Sequence, residues 1–273
     1  MLVATPIGNL GDMTLRGLEA LAGADAVLCE DTRVSAKLLE RYGIRVPLMA
    51  YHEHNARKMQ PEILARLKDG AALALISDAG MPLISDPGFR LVQACVAEGL
   101  AVSACPGPSA VLTALALSGL ATDRFSFLGF LPPKPGERKR LLEQWRAVPG
   151  TLIAFESPHR LTAALADLAA VLGERPMVVA RELTKLHEEL ARGTAAELRA
   201  DFSARPAVKG EIVLVVAPPG DDPPLTEDVI EAAITAALEN AAPARAAALV
   251  ARQLGLPRDD IYQRILKRRR HGP

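Results

Sequence analysis

Aromatic residues are scarce. Phe, Trp and Tyr make up 4% of the 273 residues, with a single Trp, which excludes a surface that stacks many bases on aromatic rings. An excess of one charge sign is missing too. The chain has 32 Lys and Arg against 32 Asp and Glu, a formal net charge of zero. That argues against coating nucleic acid by bulk electrostatics but leaves room for local basic patches. Cysteine is limited to Cys29, Cys95 and Cys105, far apart and without a C-x-x-C pair. Neither a zinc ribbon nor a disulfide framework is supported; three small buried thiols in a reducing cytoplasm are expected. No apolar run approaches the ~20 residues that span a bilayer. The opening MLVATPIGNLGD lacks the basic region of a signal peptide and reads as a strand running into a loop. The motifs G-x-G-x-x-G, G-x-x-x-x-G-K-[ST] and G-x-S-x-G are also absent, so the dinucleotide fingerprint, the P-loop and the serine-hydrolase elbow fail.

What is present is a repeating pattern of short apolar run, Gly/Pro/Asp loop and amphipathic helix. Strands are expected at 2–5, 26–29, 46–51, 71–76 and 100–104, with helices between them. Thr14 is a helix cap, and Gly43, Gly70 and Gly99 are helix stops. Strands alternating with helices imply a mostly parallel α/β sheet, in which ligands bind beyond the carboxyl ends of the strands. From about residue 121 the pattern changes to strands at 125–130, 151–155, 176–180, 188–192 and 211–217, a mixed sheet with its own core. Residues 218–224 (PPGDDPP) read as a linker, followed by helical patterns only. Three parts are therefore expected: an α/β domain over 1–120, a second α/β domain over 121–219, and a helical appendage over 220–273.

The densest motif is SDAGMPLISDPG at 77–88, with two Ser-Asp pairs, two Gly and two Pro in twelve residues. Gly permits close backbone approach to a ligand, Pro fixes the loop, and Asp accepts hydrogen bonds from hydroxyl or ammonium groups. PIGNLGD at 6–12 and PGPSA at 106–110 are weaker loops of the same kind. Glu30-Asp31-Thr32-Arg33 reads either as a charged helix start or as a substrate-orienting or general-base group. His52 and His54 flank Glu53 without a third ligand at metal spacing, so no metal site is expected.

In this order, TPIGNLGDMTLR (5–16), EDTR (30–33), SDAGMPLISDPG (77–88), PGPSA (106–110), ESPHR (156–160) and RELTKLHEE (181–189) resemble the ribosomal RNA small subunit methyltransferase I family. The resemblance runs from residue 5 to 217 and continues weakly into the tail. It implies the tetrapyrrole-methylase type of fold: two α/β domains with S-adenosylmethionine in the cleft between them. It also implies 2′-O-methylation of a cytidine ribose in 16S ribosomal RNA near the decoding centre, and a homodimer. Pro6 and Gly8 would line the cleft floor. Asp78, Ala79 and Met81 would contact the cofactor, and Ser109 and Ala110 its methionine or ribose portion. Glu156, Leu183 and Thr184 would close over the adenosine.

A ribose hydroxyl needs a proton acceptor within hydrogen-bond reach; Glu30, Asp31 and His159 are the candidates. Lys134, Arg138, Lys139, Arg140 and Arg146 form a basic cluster, net +3 once Glu137 and Glu143 are counted. Arg33 and Arg160 are expected to meet phosphate near the cleft. Residues 244–254 and 258–270 read as helix–turn–helix ending in Lys267, Arg268, Arg269 and Arg270. The segment 221–257 carries six acids and two bases, net −4, and 258–273 six bases and two acids, net +4. The zero total is thus a cancellation between segments. A corrinoid or porphyrinoid methylase, and a ligand-sensing nucleic-acid-binding regulator, are the competing readings.

Overall fold

In a computed structural model of the chain, residues 1–220, 227–254 and 256–271 are described. The chain divides into two compact units, Met1–Pro219 and Gly220–Pro273.

The first unit holds two five-stranded sheets. The first consists of β1 (Leu2–Val3), β2 (Ala26–Cys29), β3 (Leu48–Ala50), β4 (Leu73–Leu75) and β5 (Ala104–Cys105), in the order β3-β2-β4-β1-β5. Every ladder is parallel. All four residues of β2 are buried, as a strand covered on both faces requires. Alternation splits them: Val27 and Cys29 join Val3 and Ala74 in one core, while Ala26 and Leu28 join Leu73 and Leu75 in the other. The connecting helices are α1 (Leu15–Ala22), α2 (Thr32–Arg41), α3 (Glu53–Lys68), α4 (Phe89–Ala97) and α5 (Ala110–Ser118). Thr14 caps α1 by accepting the Gly17 amide at 3.1 Å, and Ser109 caps α5 through the Leu112 amide at 3.4 Å. The outer strands are shorter than expected. β1 offers only Leu2 and Val3 to pair with β5, so the ladder holds Ala104 and Cys105 and leaves 100–103 outside it.

This order creates a crevice. The connection leaving β1 runs toward β2, whereas the one leaving neighbouring β4 runs the opposite way, toward β5. Loops that diverge from adjacent strands open a binding site at their carboxyl ends. Residues 5–12 and 77–88 are those loops, tied together by the Thr5 and Gly80 amides, which exchange bonds with each other's carbonyls at 2.9 and 3.0 Å.

The second sheet is mixed, as expected: β6 (Phe125–Phe130), β7 (Thr151–Glu156), β8 (Pro176–Arg181), β9 (Glu189–Thr194) and β10 (Ile212–Val216), in the order β6-β7-β10-β8-β9. Only β6 and β7 run parallel. One face packs on α6 (Pro135–Trp145), α7 (Leu161–Leu172) and α8 (Ala195–Ala204) through Leu142, Leu165 and Phe202. The other face, with Ile153, Val178, Val213 and Val215, packs on Ile7 and on Val111, Ala114 and Leu115 of α5. A helix of the first half therefore completes the core of the second. This shared core is why residues 1–120 and 121–219, expected as separate domains, form one compact unit.

The second unit is a helical bundle of α9 (Glu227–Asn240), α10 (Pro243–Leu254) and α11 (Arg258–His271), closed around Ile234, Ala247, Val250, Ile261 and Ile265. Residues 221–224 of the expected linker and Gly255 of the expected turn lie outside the described residues. Among the described residues no helix is long and apolar enough to cross a membrane.

Candidate functional site

The crevice is lined by a pocket of about 360 Å³, within the range of small-molecule sites. Its wall includes Thr5, Pro6, Ile7 and Gly8 after β1, Ser77, Asp78 and Ala79 after β4, and Ser35, Lys37 and Leu38 on α2. From the second sheet come Lys185 and Glu211. Gly8 is required here: its φ is +153°, and a Cβ would stand 2.5 Å from Lys185 Cγ. Among the described residues, four non-glycines have left-handed backbone: Leu83 (φ 76°), Ser85 (65°), Glu182 (52°) and Thr184 (67°). All four belong to the β4–α4 and β8–β9 loops, one on each side of the sequence boundary between the halves. Strain of this kind persists only where surrounding structure holds it, and it concentrates at binding sites.

Of the residues expected to hold the cofactor, Pro6, Gly8, Asp78 and Ala79 line this pocket; Met81, Ser109, Ala110, Glu156, Leu183 and Thr184 are not in its lining. Ala110 and Leu183 pack into the shared core. Glu156 is 2% exposed; Oε1 accepts the Ser157 amide and Arg160 Nη2, each at 2.7 Å, while Oε2 is buried without a partner. Thr184 Oγ1 is buried without a partner as well, although its amide donates to Glu188 at 2.7 Å.

Carboxylates gather at the ends of β2 and β4. Hydrogen bonds from the Arg33 guanidinium and amide hold Asp31 at about 2. Burial pushes Asp78 up, although the Asp31 amide at 3.3 Å works against that. Burial also raises Asp86 to about 6, opposed by a Ser77 hydrogen bond and reinforced by the charges of Glu30 and Asp78. Glu30, Asp31 and His159 do not line the pocket; the His159 ring stands 3.4 Å from Ser157 Oγ. Among the described residues, Lys37, Lys185 and Glu211 are the ionisable lining residues that sequence reasoning missed. Lys185 stood in the quoted RELTKLHEE run with no role attached. Glu211 had no local signal; it arrives because β10 pairs antiparallel with β8, setting Ile212 opposite Arg181.

The basic residues divide. Arg138 corrects an expectation: its side chain is 2% exposed and bonded to Asp167 Oδ2 and the Pro132 carbonyl, so it has no surface to offer RNA. The cluster on α6 is correspondingly weaker. Lys139 and Lys134 are exposed but paired with Asp167 and Glu137, and Arg140 is exposed. Arg160 is committed to Glu156, whereas Arg33 is 87% exposed beside Asp31. On α11, Arg268 reaches Thr235 Oγ1 at 2.7 Å and Glu231 at 3.6 Å. Lys267 shares that helix, and the side chains of Arg269 and Arg270 lie outside the described residues.

Comparison with known proteins matches residues 1–199 to the family model "Tetrapyrrole (Corrin/Porphyrin) Methylases" and residues 223–269 to "RsmI C-terminal HTH domain". The chain is 49% identical over 267 residues to the ribosomal RNA small subunit methyltransferase I of Mesorhizobium japonicum, covering 97% of this chain and 90% of that protein. It is 43% identical over 275 residues to the protein of that name from Micromonospora olivasterospora, covering 100% and 88%. Among solved structures, diphthine synthase superposes with a TM-score of 0.61 at 16% identity, covering 79% of this chain and 89% of that one. A cobalt precorrin-4 methyltransferase gives 0.57 at 19%, covering 79% and 93%; these two likenesses concern the fold alone.

Proposed function

The chain belongs to the ribosomal RNA small subunit methyltransferase I family, within the tetrapyrrole methylases, and from that membership we propose that it methylates the 2′-oxygen of a cytidine ribose in 16S ribosomal RNA near the decoding centre. Methyltransferases of this family use S-adenosylmethionine. The observation that carries the reading is the extent of the likeness. The ribosomal RNA methyltransferase of Mesorhizobium japonicum matches 97% of the chain, whereas the ring-methylating structure covers 79%, and the segment 223–269 matches a domain model of its own.

The pocket suits the cofactor. Asp78 offers an acceptor for its ammonium or ribose hydroxyls, and Gly8 leaves room where a Cβ would fill space. Thr184 Oγ1 and Glu156 Oε2 are buried polar atoms that still need partners. Pro6, Gly8, Asp78, Ala79 and Met81 would hold it from the first half, Ser109 and Ala110 from the start of α5, and Glu156, Leu183 and Thr184 from the second sheet. When bound, the cofactor supplies an activated methyl on a sulfonium; the chain supplies alignment and a place for the hydroxyl proton. Of the groups considered for that proton, Asp31 is a poor base, because hydrogen bonds from Arg33 hold its charge. Glu30 and His159, the other two, stand outside the pocket lining.

RNA would be met by the exposed bases Arg33, Lys134, Lys139 and Arg140, by Arg160 at the strand end, and by Lys267, Arg268, Arg269 and Arg270 on the last helix. A homodimer in the cytoplasm belongs to the same reading; the three cysteines are free and buried, compatible with a reducing compartment. Labelled S-adenosylmethionine offered with small ribosomal subunits, naked RNA and uroporphyrinogen tests it. Label in the cytidine ribose is expected, label in the ring would favour a tetrapyrrole methylase, and no transfer would overturn both. Sedimentation of the full chain measures the oligomer.

A further inference from the structure

Among the described residues, the ionisable side chains lining the pocket are Lys37, Asp78, Lys185 and Glu211. A ribose hydroxyl needs an acceptor beside it, which leaves the two carboxylates. Asp78 stands on the loop assigned to the cofactor, and its Oδ1 already takes the Asp31 amide. Glu211 comes from the other sheet, and its side chain is 71% exposed, so a ribose arriving from solvent reaches it without displacing protein.

Its position is nevertheless fastened. Lys185 Nζ donates to Glu211 Oε2 at 3.0 Å and to Glu182 Oε1 at 2.7 Å. The Glu211 amide donates to Glu182 Oε1 at 3.0 Å, and the Glu182 amide to the Glu211 carbonyl at 3.0 Å. Gly210 completes the clamp: φ is +94°, and a Cβ there would lie 2.4 Å from the Glu182 side chain. Burial pulls Lys185 down, but the two carboxylates outweigh it and the ammonium ends above its ordinary value. It stays charged and is not itself the base. With two acids and one cation the cluster carries −1, which favours a hydroxyl donor over an anion such as phosphate.

We propose that Glu211 takes the proton of the substrate hydroxyl and that Lys185 is its positioning residue, an inference that rests on the methyl-transfer reading above. The ribose oxygen bonds to the methyl carbon, the bond from that carbon to sulfur breaks to leave a neutral thioether, and the hydroxyl proton passes to the Glu211 carboxylate and then to water.

The test uses the full chain with small ribosomal subunits and labelled S-adenosylmethionine. Glu211→Gln should lower kcat about 100-fold or more, with KM for subunits and calorimetric Kd for S-adenosylmethionine within about twofold of wild type. Glu211→Asp should recover part of the rate. Lys185→Met should lower kcat about tenfold at unchanged Kd, with Lys185→Arg restoring most of it. A Glu211→Gln enzyme that turns over within about twofold of wild type, or that loses cofactor affinity by the same factor as rate, overturns the inference. Wild-type enzyme that binds S-adenosylmethionine yet leaves the RNA unlabelled overturns the reading of function itself, before any variant is compared.

Discussion

Arg138 on α6 and Lys185 after β8 are both cations pinned by carboxylates, and their settings divide them. Arg138 is 1% exposed and directs its guanidinium to Asp167 and two proline carbonyls. Lys185 is held as firmly by Glu182 and Glu211, yet it lines an open pocket and lies across Gly8. The first arrangement holds a helix pair together, and the second presents charge to a ligand. Arg138 shares its one carboxylate with Lys139, whereas Lys185 has two, and only the second cluster adjoins a pocket.

The comparison breaks most sharply at Arg138. Arg138→Ala leaves Asp167 buried with only Lys139 nearby, and is expected to cost about 3 kcal/mol of stability with RNA affinity unchanged; urea denaturation and filter binding measure the two. An intact melting curve with weakened RNA binding would reverse the assignment. Next in size, Gly8→Ala forces a Cβ against the Lys185 stem at a left-handed φ. S-adenosylmethionine affinity should fall about tenfold, read by calorimetry.

Asp86 supplies the contrast of a partly buried carboxylate that forms no ion pair among the described residues. Its folded value, about 6, lies above the ordinary one. The stability it contributes is therefore fully present below about pH 4 and lost as pH rises through about 6. Asp86→Asn should stabilise the protein by about 1 kcal/mol at pH 8, after discounting for solvent screening, and leave it unchanged at pH 4. Parallel melts at the two pH values check the sign. The smallest effect is expected at the exposed Arg268 pairs. Arg268→Ala should cost about 0.5 kcal/mol or less while reducing the salt slope of RNA binding by about 1. An unchanged slope would remove Arg268 from the RNA surface.

Much of the fold was legible locally. The apolar run at 26–29 became β2 with the expected bounds, and Thr14 capped its helix. The loops at 5–12 and 77–88 met at the crevice because strand–loop–helix alternation already implies a parallel sheet with its site at the strand ends. Strand ends were less legible. The strand expected at 100–104 is found at Ala104–Cys105, sharing one residue with the expectation, since its place depends on what β1 can pair with. The shared core was not legible at all. Nothing in the apolar run of α5 says that Val111 and Leu115 pack on the second sheet, with Ile153, Val178 and Val213.

The candidate site shows the same division. Pro6, Gly8, Asp78 and Ala79 came from the family resemblance, and the loops that carry them stand out locally by their glycine, proline and aspartate. Glu211 and Arg138 could not. Lys185 and Glu211 are 26 residues apart, and Arg138 and Asp167 are 29 apart; in each case strand or helix pairing brings the partners together. By itself the sequence determined the alternating elements, the ligand-bearing loops and the family they resemble, because periodicity and turn chemistry act over a few residues. The tertiary structure alone decided which charges face the pocket and which are sealed in the core, because burial and ion pairing depend on distances in space that spacing along the chain does not encode.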